Sequence, residues 1–495
     1  MFSGGMFSDE KEEDHYCWSR SLKRTLGWAL DQIQSCLHRT NAEDKTFATV
    51  IWGKAGFINL SQSSQTGRMT APVRVIVVGG GCRGEGHSHY ASIHPERMQV
   101  VAVADPRKFA RSKFQKQHKI LEENIFEDWH AVVEREKFAD AVLICTPDRL
   151  HKEPAVAFAK KGYHILLEKP MATTAEDCTA IVEVCIQSGV MLSVGHVLRY
   201  DPLIHKIKEL IDAGVIGDVF HIQHLEPVGF YHFAHSFVRG NWRNEAESSF
   251  ALLAKSCHDI DLIHHWAGAR RCVKVSSFGS VSHFNKENKP PGAADRCLNC
   301  SVERDCPYSA CKIYLDRVKK GHTGWPVSVI CPNSFPDIES VTEALKTGPY
   351  GRCVYECDND VCSNQVVNME FEGGLTAAFS MVAFTEEICQ RKTTIYGSKG
   401  ELYYNGREIR VFDFLTQRAT KHTADTNIPG QFFMSGHGGA DYHLIHAFIS
   451  AVANNDPSLI RSGPEETLLS HLLVFEAERS RLESRVVHCG DTKHN

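Results

Sequence analysis

The alternation that begins at residue 73 constrains the fold more than any other feature of the chain. Five short apolar runs rich in β-branched residues stand at Val73–Val78, Met98–Ala104, Asp140–Cys145, His164–Leu167 and Val190–Val194. Helical spacing fills the gaps at Pro106–His118, Asp128–Glu134, His151–Lys161 and Thr174–Ser188. Runs that are apolar throughout, rather than on alternate residues, belong to strands covered on both faces. Strand and helix in turn predict a doubly wound parallel sheet over residues 73–194. The last of these helices has Thr173 three residues before Glu176, a capping-box spacing, and Gly189 at its end.

Past residue 195 the rhythm changes. One more helix is expected at Pro202–Ala213, then strand-like segments near 218–228, 272–284, 365–384, 391–396 and 401–413. Period-two alternation in Val366–Phe371 and Leu375–Val382 points to a large open, mostly antiparallel sheet with one wetted face. The fold class is therefore α/β, with a second α/β domain over 195–495. Residues 285–350 carry no clear element and read as an insertion rich in Cys, Pro and Gly. A chain of 495 residues exceeds one ordinary core, so two or three domains fit. Residues 1–68 differ from the rest. An acidic stretch at 8–14, an apolar repeat from Trp18 to Leu37 and a polar linker at 61–68 suggest a poorly ordered extension with one amphipathic helix.

Charge narrows the partners. The formal net charge is −5, which argues against a nucleic-acid binder, and no apolar run approaches the length of a membrane span. Eighteen cysteines in 495 residues are too sparse for a disulfide scaffold, so a reducing, cytoplasmic setting is expected.

The first strand runs into Gly79-Gly80-Gly81-Cys82-Arg83-Gly84, a G-x-G-x-x-G turn. Gly79 permits the tight turn, Gly81 lets a pyrophosphate approach the backbone, and Gly84 lets helix pack on strand. Arg83 belongs to the same turn. Asp105 closes the second strand 21 residues after Gly84, where an acid meets ribose hydroxyls. Together these predict a Rossmann dinucleotide site with NAD favoured by Asp105, and NADP left possible by Arg107 and Lys108. Thr146-Pro147, His151 and Glu168-Lys169-Pro170 follow later strands, whose carboxyl ends face the ligand in such sheets. A lysine beside a positively charged nicotinamide should have a depressed pKa and can carry a proton near neutrality.

These motifs in this order, continued by Gly195-His196-Val197-Leu198-Arg199-Tyr200 and Cys257-His258-Asp259-Ile260-Asp261-Leu262, resemble the Gfo/Idh/MocA family of glucose–fructose oxidoreductase and inositol dehydrogenase relatives. The resemblance covers residue 73 to the end. It implies hydride transfer between nicotinamide and a sugar or cyclic polyol, and a homo-oligomer built through the open sheet. It also implies Lys169 as the catalytic lysine, Glu168 as a cofactor contact and His258 as the substrate-side acid/base.

One position departs from the pattern. Where many family members carry an aspartate four residues before the histidine, this chain has Ala254, followed by Lys255. Lys255 and His258 are three apart, so on one helix both would share a face, and Lys255 enters the catalytic set. Asp261 is expected to bond structure and Asp259 to face water. Arg199, Tyr200 and Trp242 are candidate substrate contacts, and His437 of the Gly436–Asp441 turn a candidate closing residue. Cys297-x2-Cys300-x5-Cys306-x4-Cys311 has one zinc-like pair. Because only one pair has knuckle spacing, and free cysteines are often simply buried, no metal is assigned. Besides the oxidoreductase, two readings stay open: a glycoside hydrolase that oxidises its sugar transiently on a retained NAD, and a non-catalytic dinucleotide-binding protein.

Overall fold

The computed structural model describes residues 71–424 and 436–490, so the expectations for residues 1–68 lie outside the described residues. Six parallel strands form the first sheet: β1 Val73–Val78, β2 Met98–Ala104, β3 Ile125–Phe126, β4 Ala141–Ile144, β5 His164–Leu167 and β6 Leu192–Val194. Their order is β3-β2-β1-β4-β5-β6, which reverses between β1 and β4 and opens a ligand crevice at their carboxyl ends. Val142, Ile144, Ile165 and Leu167 are fully buried on one face, and Val75, Val77, Leu143 and Leu166 on the other. This two-sided burial is why the strands read as continuous apolar runs. The helix Ala175–Gln187 starts one residue later than the capping-box spacing suggested. Thr174 is its N-cap, accepting from the Asp177 amide at 3.1 Å.

The second sheet has nine strands: β7 Val219–Pro227, β8 Cys272–Ser280, β9 Asn364–Phe371, β10 Thr376–Val382, β11 Lys392–Gly397, β12 Gly400–Tyr404, β13 Glu408–Asp413, β14 Arg418–Thr423 and β15 Val487–His488. The order is β14-β13-β12-β11-β7-β10-β9-β8-β15, antiparallel throughout except for the β7–β10 pair. The helix Cys257–Ala267 lies against its inner face, to which β7 presents His224 and Glu226. The ladder register sets Phe278, Val366, Tyr396 and Tyr403 on the outer face, where they are exposed.

The 285–350 insertion is more ordered than its composition indicated. It holds the helix Ile338–Thr347, started by a capping box between Asp337 and Ser340, and buries Val341 and Leu345 in a small core of its own. Cys297 and Cys353 each directly follow one residue of an isolated antiparallel bridge, Arg296–Arg352. These two cysteines, with Cys300 and Cys306, line a cavity of about 20 Å³ to which Cys311 does not contribute. Among the described residues no group of three or more His, Cys, Asp or Glu is placed to hold a metal ion, and no helix is long and apolar enough to cross a membrane.

Arg199 and Tyr200 are corrected from substrate contacts to parts of a buried latch. The Arg199 guanidinium, almost wholly shielded from solvent, forks onto Asp261 at 2.7 and 2.8 Å and reaches the Arg461 carbonyl and Glu466. The Tyr200 hydroxyl accepts from the Arg461 and Ser462 amides, and the Ser462 hydroxyl donates to the Val194 carbonyl. The latch joins the free edge of β6, the helix Cys257–Ala267 and the start of the helix Pro464–Glu483. A forked buried pair leaves an uncompensated charge when one partner goes. Arg199→Met is therefore expected to lower stability by about 3–5 kcal/mol, and adding Asp261→Leu to restore part of it. Urea unfolding of both variants measures this.

Candidate active site

The glycine turn is shaped by close approach. Gly79 sits at φ +95°, and a Cβ there would lie 2.5 Å from the Cys145 carbonyl oxygen. A Cβ on Gly84 would lie 2.1 Å from the Gly79 oxygen, so only glycine permits the helix Cys82–Ser88 to start this close to β1. Gly81 is open by contrast: a Cβ there would meet only Arg107 Nη2, at 3.7 Å, which leaves the backbone open to a phosphate-sized group. Asp105 is buried, accepts from the Gly80 amide at 2.8 Å and is forked by Arg107 at 2.8 and 3.0 Å. Burial alone would raise its pKa, but Arg107 and the backbone donors hold it below the usual carboxylate range. A tight turn, an open backbone and a fixed acid at the end of β2 fit a dinucleotide.

Lys169 leaves the carboxyl end of β5 and donates from Nζ to the Ala254 carbonyl at 2.7 Å. The side chain of Ala254 is inert, as its identity implied, yet its main-chain carbonyl is the acceptor for this amine. His258 opens the helix Cys257–Ala267, with Nδ1 buried and unpartnered. Burial, reinforced by the Lys169 charge, pushes its pKa well below the ordinary histidine value, so it is neutral. Its ring centroid lies 5.5 Å from His196 and 6.2 Å from His437. His196 is fully enclosed, with Nδ1 3.8 Å from Asp261, and burial lowers its pKa to about 3.

Beside this row lies a charged knot. Arg83 reaches Glu168 at 2.7 Å and Asp441 at 2.8 Å, His87 meets the same Glu168 oxygen at 2.6 Å, and Asp441 bonds His437 at 3.0 Å. Burial opposes the charge on Glu168, but Arg83 and His87 outweigh it and hold the carboxylate well below its usual range. Arg83 and Glu168, expected at the cofactor, spend these contacts on each other and on the helix Ala440–Asn454.

The other expected site residues have the following partners. His151 sets one ring nitrogen against the Pro170 carbonyl and the other against that of Thr146, so it braces the two cofactor-side loops. The Thr146 hydroxyl donates to the Leu150 carbonyl, closing the turn after Pro147. Trp242 donates its indole N–H to Asp148 at 3.1 Å, a tie to that same turn. Lys255 does not share a helix face with His258, because one helix ends at Ala254 and the next begins at Cys257. Its Nζ turns instead to Glu226 at 3.1 Å and Cys389 at 3.0 Å. Asp259 faces no water: it is buried against Arg391 at 2.7 Å and His224 at 3.1 Å. Sequence reasoning missed Glu226, Cys389 and Arg391, which come from β7 and the distant loop before β11 and share no local motif.

Comparison with known proteins decides the family. Residues 73–196 match "Oxidoreductase family, NAD-binding Rossmann fold" and residues 208–487 match "Oxidoreductase family, C-terminal alpha/beta domain". The chain belongs to this Gfo/Idh/MocA oxidoreductase family. It is 31% identical over 147 residues to 2,7-anhydro-N-acetylneuraminate hydratase of Escherichia coli strain K12, covering 30% of this chain and 38% of that protein. It is 30% identical over 217 residues to scyllo-inositol 2-dehydrogenase (NAD(+)) of Bacillus subtilis strain 168, covering 43% and 59%. Both matches thus span less than two thirds of the relative's length. A solved levoglucosan dehydrogenase, in complex with NADH and levoglucosan, shares the fold at 17% identity and a TM-score of 0.61, over 85% of this chain and all of that one.

The buried histidines set a pH dependence. His196, His258 and His232 are held neutral in the fold mainly by burial, whereas in the unfolded chain they protonate near 6.5. Below that value the unfolded state binds more protons, so stability falls as pH drops from about 6.5 toward 3. The melting temperature is expected to be lower at pH 5 than at pH 7.5, with a shallower slope in His196→Gln; calorimetry across that range checks both.

Proposed function

We propose that the protein is an NAD-dependent oxidoreductase that moves a hydride between nicotinamide and a carbinol carbon of a sugar or cyclic polyol. The observation that carries this reading is Lys169: its amine sits at the carboxyl end of β5, fixed by the Ala254 carbonyl and close to the neutral His258. When bound, the dinucleotide supplies the hydride acceptor or donor. Lys169 Nζ is the atom that takes up or returns the hydroxyl proton of the carbinol. The Ala254 carbonyl aims that amine, and His258, too weakly basic to store a proton, presents a neutral imidazole beside it. The knot of Arg83, Glu168 and Asp441 holds the glycine turn and the Lys169 loop in one position relative to the helix Ala440–Asn454.

Asp105 supports NAD over NADP, because a buried carboxylate suits a free ribose 2′-hydroxyl and already occupies the Arg107 fork. The inositol dehydrogenase relative and the levoglucosan-bound neighbour support a sugar or polyol substrate. The exposed outer face of the nine-stranded sheet, with Phe278, Val366, Tyr396 and Tyr403, supports assembly of a homo-oligomer. The described cysteines are all unpaired, in keeping with a cytoplasmic setting.

Lys169→Ala is expected to reduce turnover by about a hundredfold to ten-thousandfold while dinucleotide affinity, read by NADH fluorescence titration, changes little. Equal loss of both would assign Lys169 to binding. Mass spectrometry of the dinucleotide released from denatured protein decides between NAD and NADP where the cofactor is retained, and relative affinity decides where it exchanges.

A further inference from the structure

The 285–350 insertion belongs to neither sheet, yet part of it packs back onto the first domain. The Phe335 ring meets Phe109 of the helix Lys108–His118 edge-on at 5.8 Å. Ten residues earlier, Trp325 sets its indole against His232 at 4.9 Å and 81°, against His235 at 5.4 Å and 88°, and against Tyr231 at 6.1 Å. Two near-perpendicular contacts fix the plane of the indole, while 45% of Trp325 stays exposed. Exposure of one aromatic would mean little by itself. Its connection to the catalytic lysine gives it meaning. His232 Nδ1 lies 3.4 Å from Cys389 Sγ, which in turn receives the Lys255 ammonium at 3.0 Å. Lys255 directly follows Ala254, the residue whose carbonyl holds Lys169. His232 thus touches both the fixed, half-open indole and the Cys389–Lys255 pair, and it lies within reach of the Lys169 charge.

We propose that Trp325 is the aromatic floor of an outer sugar subsite, so that the substrate is a glycoside or oligosaccharide rather than a free polyol. This rests on the oxidoreductase reading above. The oxidised ring sits at Lys169, and the second ring or aglycone lies on Trp325, beyond Lys255 and His232. The indole offers an apolar face to the C–H face of a sugar, while the polar groups beside it stay at its edge.

The test compares Trp325→Ala and Trp325→Phe with the unaltered protein, using NAD and matched pairs of a monosaccharide and its disaccharide or phenyl glycoside. Circular dichroism melts confirm that the variants fold. Trp325→Ala is expected to lower kcat/KM for the two-ring sugar at least tenfold more than for the one-ring sugar, and Trp325→Phe to retain most of the preference. Saturation-transfer NMR on the NADH-loaded protein gives a readout independent of turnover: the second ring should receive transfer in the unaltered protein and lose it in Trp325→Ala. A uniform effect on both sugars, or a second ring that receives no transfer, overturns the subsite. Transfer that depends on Trp325 without any turnover would leave the subsite standing and remove the oxidoreductase reading.

Discussion

Glu168 is a buried carboxylate one residue before Lys169, and the geometry of the candidate site depends on how it is paired. Arg83 comes from the helix that starts at the glycine turn, and His87 from the next turn of that helix. Arg83 also grips Asp441 at the start of the helix Ala440–Asn454. One guanidinium thus connects the dinucleotide turn, the lysine loop and the second domain. Such pairing contributes little net stability, because the Glu168 carboxylate has lost its water, but breaking it costs much. Its value lies in position: the amine of Lys169 is held in register with the glycine turn.

A second buried set supports the other side. Lys255, Glu226, Arg391 and Asp259 alternate in sign between β7, the helix Cys257–Ala267 and the residue before β11. The two cations and two anions balance, so this set carries order without a strong net field. His224 completes the set by bonding Asp259 on one side and the Thr393 hydroxyl on the other.

The first domain was legible because each of its long strands is apolar on both faces and the glycine turn occurs in its proper context. What stayed hidden had little local signal. β14 is Arg-Ala-Thr-Lys-His-Thr, almost wholly exposed, and shows no hydrophobic period to find. β3 and β15 are two residues each and exist only through their neighbours. Lys169 and His258 were singled out by motifs, whereas Arg199 and Tyr200 were placed at a cleft although both are buried, because chain position near a cleft says nothing about burial. Lys255 was misplaced for a different reason. Three-residue spacing implies a shared face only on an unbroken helix, and the break at 255–256 sends its side chain toward Cys389. The charged knot had no local signal as a unit: Arg83 and Glu168 lie more than 270 positions from Asp441, and only His437 is near it in the sequence.

The contact between Lys169 and the Ala254 carbonyl also separates chemistry from side-chain identity at that position. A main-chain oxygen is present whatever residue occupies the site, and its direction is set by the short helix Ala251–Ala254 and the turn that follows. Drift at residue 254 therefore cannot remove the acceptor; only a change in backbone path can. Residue 254 is free to suit the packing of its surroundings, and the loss of an acidic side chain there is no sign of a lost activity.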